Sequence, residues 1–325
     1  MAIGNRMNPF SRLNDDTGFG SNASSYGGRF INKDGSFNIR KTGQPFWNRT
    51  SIYYFLLNMP AWKFTLLVLG SYFVVNVVFT SLYLLVGIGG LTGITGTTGL
   101  RHILEVFFFS TETFTTVGYG RVNPTGVGIN CVAALESLSG FVALAVGTGL
   151  IFGRFARPKP FLSFSNNAVI APYKGRTGLM FRMAAYKENH HLTNAEITVN
   201  LAVTLQEEGV PVFRFFSLHL ERSRVDTLSM NWTVVHPIDD ESPLVGFTKE
   251  DLKTADAEIY VLCRGFDDVF SNMVQQRTSY TFDEIIFNAK FLPMYKESVD
   301  GKTTIMEVDK LNEYKLLPEK GEDKA

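Results

Sequence analysis

The apolar residues are gathered into one stretch of the chain and spread thinly elsewhere. From Phe64 to Gly87 no charged residue occurs, and a helix of that length crosses the roughly 30 Å of hydrocarbon in a bilayer. A second run, from about Val127 to Phe155, is interrupted only by Glu136 and Arg154, and Pro158 and Pro160 then stop it. Between the two, Ile103 to Phe114 is apolar but too short to cross, which suits a half-helix that enters and ends midway. Backbone beyond such a half-helix is tolerated at membrane depth only where protein buries it or it lines a wet cavity. The pattern predicts two spans and a re-entrant segment around a pore or transporter-like site.

After about Phe161 the period changes to two. Ile197, Val199, Leu201, Val203 and Leu205 share one face of a strand, Glu207-Glu208-Gly209 reads as a turn, and Val212 to Leu220 as its partner. Further strands are expected at Asn231–His236, Glu258–Cys263, Ser279–Phe282 and Lys290–Leu292, so this half reads as an all-β sandwich. No Gly-rich phosphate loop follows a strand. His190-His191 reads as a solvated turn. Ahead of the first span, residues 45–60 are aromatic and amphipathic, either a helix lying in the membrane interface or a plain linker. Residues 1–44 are rich in Gly, Asn and Ser and are expected to be flexible. The predicted division is 1–44, the interfacial helix 45–60, a pore domain 61–157, the β domain 158–310 and a tail 311–325.

Charge sets the orientation. Arg40, Lys41, Arg49 and Lys63 precede the first span, and Arg154, Arg157 and Lys159 close the second. The loop between the spans balances Arg101 and Arg121 with Glu105 and Glu112, so both termini are expected on the cytoplasmic side. Net charge is zero and there are two cysteines, which suggests neither a nucleic-acid partner nor a disulfide framework.

The candidate chemistry lies just after the half-helix. Thr113-Phe-Thr-Thr-Val-Gly-Tyr-Gly120 matches the signature of potassium channels. Gly118 and Gly120 accept positive φ, which lets consecutive carbonyls face one axis. Stacked carbonyl rings from Thr116, Val117, Gly118 and Tyr119 can replace the water shell of K+. Thr116 adds a hydroxyl, Val117 and Tyr119 point away, and one chain supplies a quarter of each ring, hence a homotetramer. Glu112, behind this filter, is expected to pair with Arg121, the alternative being that each is hydrated separately. In the second span Gly140 is a hinge or a close-packing point. Leu144, Thr148 and Phe152 fall roughly on its face, so Phe152 is expected to form an inner constriction. Glu136, the only acid of the span, is a pore-lining candidate.

At this point the chain resembles the inward rectifier potassium channels, most closely their prokaryotic branch. The marks are the filter, Gly149-Leu-Ile-Phe-Gly-Arg-Phe-Ala-Arg-Pro158, Gly175-Arg-Thr-Gly-Leu-Met-Phe-Arg182, Trp232, Val235-His-Pro-Ile-Asp-Asp-Glu-Ser-Pro-Leu244 and Glu284-Ile-Ile286. The resemblance implies a membrane α-helical pore domain, with two transmembrane helices and a re-entrant pore helix. An all-β immunoglobulin-like cytoplasmic sandwich follows it, in a homotetramer of the bacterial inner membrane. It implies a slide helix at 45–58 and a gate at Phe152. It implies an anionic-lipid site, for a phosphoinositide for example, at Arg154, Arg157 and Lys159. It also implies a narrowing of the cytoplasmic pore at Gly265 to Val269, with Asp267 or Asp268 attracting cations. Strongly rectifying animal members carry an acid where Leu144 stands, so block by polyamines or Mg2+ is expected to be weak, unless Glu136 substitutes. A poorly selective cation channel and a membrane-anchored β module that conducts nothing are the competing readings. An enzyme is disfavoured because no nucleophile–base set stands out.

Overall fold

The computed structural model describes residues 7–14, 17–18, 28–45, 51–95, 99–188 and 190–318. The chain divides into two compact units, Thr42–Arg157 and the combination of Met1–Lys41 with Pro158–Ala325.

The first unit is helical. Helix α1 (Ile52–Asn58) begins at Ser51, whose hydroxyl accepts the Tyr54 N–H, a side-chain cap for one of the amides a helix start leaves unpaired. Its chain direction ends at Pro60, and α2 (Ala61–Val86) follows at once. The expected interfacial helix 45–60 is thus described over Ile52–Asn58, and residues 46–50 of it lie outside the described residues. After short strand β1 (Leu91–Thr92), the half-helix appears as α3 (Leu100–Phe114). Strand β2 (Asn123–Pro124) pairs with β1, and α4 (Val127–Phe155) completes the unit. Helices α2 and α4 are long and apolar enough to cross a membrane by length and composition. A small core of Tyr83, Val106, Phe109, Val122 and Ile129 holds α2, α3 and α4 together.

The second unit is a sandwich. Its strands run in order as β3 (Leu162–Phe164), β4 (Ala168–Tyr173), β5 (Arg176–Ala185), β6 (Leu192–Glu207), β7 (Val210–Ser217), β8 (Arg224–Leu228), β9 (Asn231–Ile238), β10 (Glu258–Asp267), β11 (Asn272–Thr281) and β12 (Ile285–Phe287). One sheet has the order β11-β10-β6-β7, with β8 beside the start of β6. The other has the order β12-β4-β5-β3, with β9 on β5. Only β12 with β4 is parallel among these pairings of the described residues. The five alternating apolar residues of β6 all face the inter-sheet core, opposite Leu179, Phe181 and Met183 of β5, as the period of two requires.

Strands β4 and β5 were not legible as alternation. The reverse face of their sheet is also covered: Val169, Ala171, Met180 and Val235 pack with Ala289 and Phe291. A strand buried on both faces reads as a continuous apolar run. The covering pieces are β13 (Ala289–Phe291), β14 (Tyr295–Glu297), β15 (Thr304–Met306) and β16 (Tyr314–Leu316), paired as β13 with β16 and β14 with β15. A short helix α5 (Lys249–Thr254) is started by a capping box between Thr248 and Asp251.

The N-terminal region also departs from expectation. Residues read as flexible are built onto the sandwich over two described stretches. Asn14 N–H donates to the Phe215 carbonyl and Ser217 N–H to that of Arg12, extending the β7 edge. Phe30 and Ile31 are buried against Phe213, Phe215 and Tyr260. Arg29 reaches Ser279 and Glu284, and Lys33 joins Glu284 at 3.0 Å. Glu284 resists ionisation through burial, yet hydrogen bonds from Arg29 and Lys33 hold it below the usual carboxylate range. Polar composition suggested a loose arm, but two apolar side chains and two cations aimed at one acid are enough to seat it.

Candidate functional site

The filter segment follows directly from the end of α3. Thr115 N–H donates to the Thr111 carbonyl at 3.1 Å, and the next turn tightens so that Thr116 N–H reaches Thr113. The Val117 and Gly118 amides both point back at the Glu112 carbonyl, at 3.0 and 3.3 Å. The backbone then alternates: Thr116, Gly118 and Gly120 have φ of 58°, 54° and 79°, while Val117 and Tyr119 stay on the negative side. Two of the three left-handed positions are glycine, and the third is a β-branched residue for which that region is strained. In an extended strand successive carbonyls point in opposite directions; alternation of hand cancels that reversal. The far end of the segment is fixed by Asn123, whose amide donates to the Gly120 carbonyl at 2.7 Å. In a single chain the side chains of Val117 and Tyr119 are exposed.

The expected partner of Arg121 is not the one found. Its guanidinium lies 3.6 Å from Glu105 and donates to the Gly93 carbonyl at 3.3 Å. Glu105, nearly buried, also accepts from the Thr95 amide and hydroxyl at 2.8 Å each. Glu112 makes no side-chain ion pair or hydrogen bond among the described residues of one chain. The two acids stand seven positions apart on the same helix; proximity in sequence favoured Glu112, but the strand pairing of β1 with β2 brings Arg121 over the start of α3. Glu105 is therefore the residue that ties the segment after Gly120 to α3.

In α4 the residues taken together from the sequence separate. Glu136 lines no open surface: it is fully buried, receiving the Tyr83 hydroxyl at 2.6 Å and contacting Ser110 Oγ at 2.5 Å. Both the pore-lining expectation and its suggested stand-in role for a rectifying acid fall with that burial. Gly140 is a close-packing point, since a Cβ there would lie 1.9 Å from the Phe114 carbonyl oxygen. Leu144, Thr148 and Phe152 are exposed, Phe152 by 72 %. Steps of four residues rotate about 40° each around a helix, so Phe152 lies about 120° from Gly140. One face packs on α3, and the residues drift off it toward the C-terminal end of α4.

At that end Arg154 is committed to protein. It donates to the carbonyls of Leu56 and Met59 at 2.5 and 2.6 Å, and its guanidinium lies 4.6 Å from the Phe64 ring centre. These are carbonyls at the C-terminal end of α1, where a cation offsets both the open acceptors and the dipole. Arg157 donates to Asn58 Oδ1 at 2.5 Å and lies near the Tyr54 ring. Lys159, in the other unit, is exposed.

In the β domain the expected cation attractors divide. Asp267 is fully buried and accepts from the Val269 and Phe270 amides at 2.9 Å and from His190 Nδ1 at 3.1 Å. It organises the turn after β10 and is not a surface charge. Asp268, next to it, is the exposed carboxylate, 3.3 Å from Thr193 Oγ1. Gly265 sits where the β10–β6 register shifts, and a Cβ there would lie 3.1 Å from Leu192 Cβ. His190 is correspondingly no solvated turn, because it packs between Phe161 and Phe270.

The long motif 235–244 has a core role. His236 is buried, its Nδ1 facing the His219 carbonyl at 2.5 Å and its Nε2 the Ser242 hydroxyl at 2.7 Å. Ser242 Oγ in turn accepts the Leu244 amide. Burial lowers the His236 pKa, and the neutral Nδ1–H form satisfies both neighbours.

A unit with two long apolar helices and a half-length helix between them, joined in sequence to a β-sandwich, is the arrangement to which the comparisons give a family. The C-terminal domain of inward rectifier potassium channels matches residues 162–319. The inward rectifier potassium channel Kirbac3.1 of Paramagnetospirillum magnetotacticum is 34% identical over 278 residues, covering 85% of this chain and 92% of that one. The ATP-sensitive inward rectifier potassium channel 12 of Mus musculus is 33% identical over 208 residues, 60% of this chain and 48% of its own. Inward rectifier potassium channel 18 of Homo sapiens is 33% identical over 208 residues, 60% of this chain and 47% of its own, so the chain spans about half the length of these animal relatives. The chain belongs to the inward rectifier potassium channel family. The sequence resemblance to the prokaryotic branch agrees with the first of these matches.

Proposed function

We propose that four copies of this chain form a K+-selective channel in the bacterial inner membrane, with both termini and the β domain on the cytoplasmic side. The observation that carries this reading is the alternating hand of Thr116 to Gly120 at the end of a half-helix. Carbonyls turned to one side, repeated fourfold, replace the hydration shell of K+ in stacked rings at Thr116, Val117, Gly118 and Tyr119, with several sites close enough for ions to displace one another. The C-terminal end of α3 directs its negative dipole end the same way. The exposed side chains of Val117 and Tyr119 suit burial against neighbouring copies, and Arg121 with Glu105 supports the outer mouth. Glu112 is left in this reading as a carboxylate for an inter-subunit partner.

Leu144, Thr148 and Phe152 line the inner path, and a ring of four Phe152 side chains closes it by excluding water. Asp268 provides the cation-attracting charge of the β domain. Anionic lipid, a phosphoinositide for example, acts through the juxtamembrane charge of Arg157 and Lys159, with Arg154 positioning α1. With Leu144 in place of an acid, polyamines and Mg2+ block weakly from inside.

The test is rubidium or potassium uptake into liposomes containing the purified protein, measured against sodium. Selective uptake of the larger ions is expected; equal fluxes would sink the reading.

A further inference from the structure

The site of interest is the buried polar cluster between α2, α3 and α4, and the inference deepens the channel reading, on which its functional half rests. Glu136 has no cation paired with it among the described residues, and its two oxygens meet Tyr83 Oη and Ser110 Oγ. Ser110 Oγ also lies 3.1 Å from Asn76 Oδ1 and 3.3 Å from the Asn76 carbonyl. The orientation of the Asn76 amide is set by its Nδ2, which donates to the Tyr72 carbonyl at 2.8 Å. The atom turned to Ser110 is therefore an oxygen, and the single hydroxyl proton of Ser110 faces only acceptors.

Counting protons decides between two states. With Glu136 ionised, Ser110 gives its proton to the carboxylate, and Asn76 Oδ1 is left facing a second oxygen with nothing between them. A net charge also stays buried at membrane depth without a counter-ion. With the proton on Glu136 Oε1, every group is used: Tyr83 O–H donates to Oε2, Glu136 O–H to Ser110 Oγ, and Ser110 O–H to Asn76 Oδ1.

We infer that Glu136 is held as a neutral acid in a one-directional relay, Tyr83 to Glu136 to Ser110 to Asn76, that positions the pore helix under the filter. Gly140, one turn along α4, seats the same helix through the Phe114 carbonyl. Ser110 and Phe114 are themselves one turn apart, so α4 grips α3 at two successive levels just before Thr116. Glu136 is a positioning residue: it touches neither the ion nor the filter backbone.

Infrared difference spectroscopy of the full-length protein in liposomes tests this directly. Glu136→Gln should remove a protonated-carboxylic-acid band from the wild-type spectrum. It should also keep potassium flux and selectivity at wild-type level, because its amide donates to Ser110 and accepts from Tyr83. Ser110→Ala should shift the acid band to higher frequency as the proton loses its acceptor, and Glu136→Ala should lose selective flux. Absence of the band, an unshifted band in Ser110→Ala, or a Glu136→Gln protein as defective as Glu136→Ala would each overturn the relay. The band is readable even in a protein that conducts nothing, so failure of the relay and failure of the channel reading are distinguishable.

Discussion

At Gly140 a single hydrogen stands where any other residue would place carbon 1.9 Å from a backbone oxygen. The obstacle is main chain at the end of α3 and cannot rotate away, so Gly140→Ala should force α3 and α4 apart. Overpacking of this kind costs about 1–3 kcal/mol or more, and here the displaced backbone leads into Thr116 to Gly120, the filter of the proposed channel. Reduced K+ over Na+ selectivity in liposome flux, with the protein still inserted, is the expected outcome; wild-type selectivity would count against it.

His236 supports a pH prediction of definite sign. Its pKa is lowered in the fold by burial, so the unfolded chain binds more protons below the free value of about 6.5. The stability it contributes is present above that pH and is lost as pH falls toward the folded pKa. Glu258 acts in the opposite direction, its pKa raised by burial in the fold, so the comparison must isolate one group. The thermal midpoint of wild type should fall more steeply than that of His236→Gln between about pH 7 and 5.5, and parallel slopes would refute the assignment.

On the scale of elements, Arg154 joins the last turn of α4 to the end of α1. Hydrogen bonds to a charged donor contribute about 1.5–3 kcal/mol, so Arg154→Ala should release α1. Hydrogen exchange at the amides of Ile52–Asn58 is expected to speed up by about tenfold or more, while α3 keeps its protection. A lipid role for Arg154 alone predicts unchanged exchange in lipid-free detergent. The N-terminal strap is a second such element. Its Phe30 amide donates to Glu258 at 3.0 Å, and Arg29 takes Ser279 and Glu284. Neutralising Glu284 should therefore free the strap to limited proteolysis without unfolding the sandwich; unchanged cleavage would show the apolar contacts of Phe30 and Ile31 to be sufficient.

On the scale of the whole molecule, one chain alone leaves large apolar side chains uncovered. Tyr119, Leu144 and Phe152 are large, apolar and open in the monomer, and fourfold assembly would give each a place. If Phe152 is the constriction, Phe152→Ala should raise resting potassium flux and leave selectivity unchanged, since Phe152 lies about three turns beyond Gly140, the level at which α4 meets Phe114 just before Thr116. Unchanged flux would move the gate elsewhere.

Much of this design can be read from the chain. Two long apolar helices and a half-length apolar helix between them follow from the hydropathy pattern, and Thr116 to Gly120 has residue types that suit a tightly alternating backbone. The strict alternation of β6 shows one buried face for the same reason. What sequence could not supply was partner choice. Arg121 has two acids within reach along the chain, and only the β1–β2 pairing selects Glu105. Residues four apart look co-facial in a list, yet the helix turns them gradually, so Glu136 and Gly140 face α3 while Phe152 does not. Asp267 and Asp268 are chemically equal neighbours, and the turn after β10 buries one and exposes the other. The sequence alone fixes which segments form long apolar helices, where the half-length helix lies and which half is β, because those follow from periodicity and backbone freedom along one dimension. Only the tertiary structure decided which charge meets which partner, and whether Glu136 faces a pore or a relay, because those depend on contacts between residues far apart in the chain.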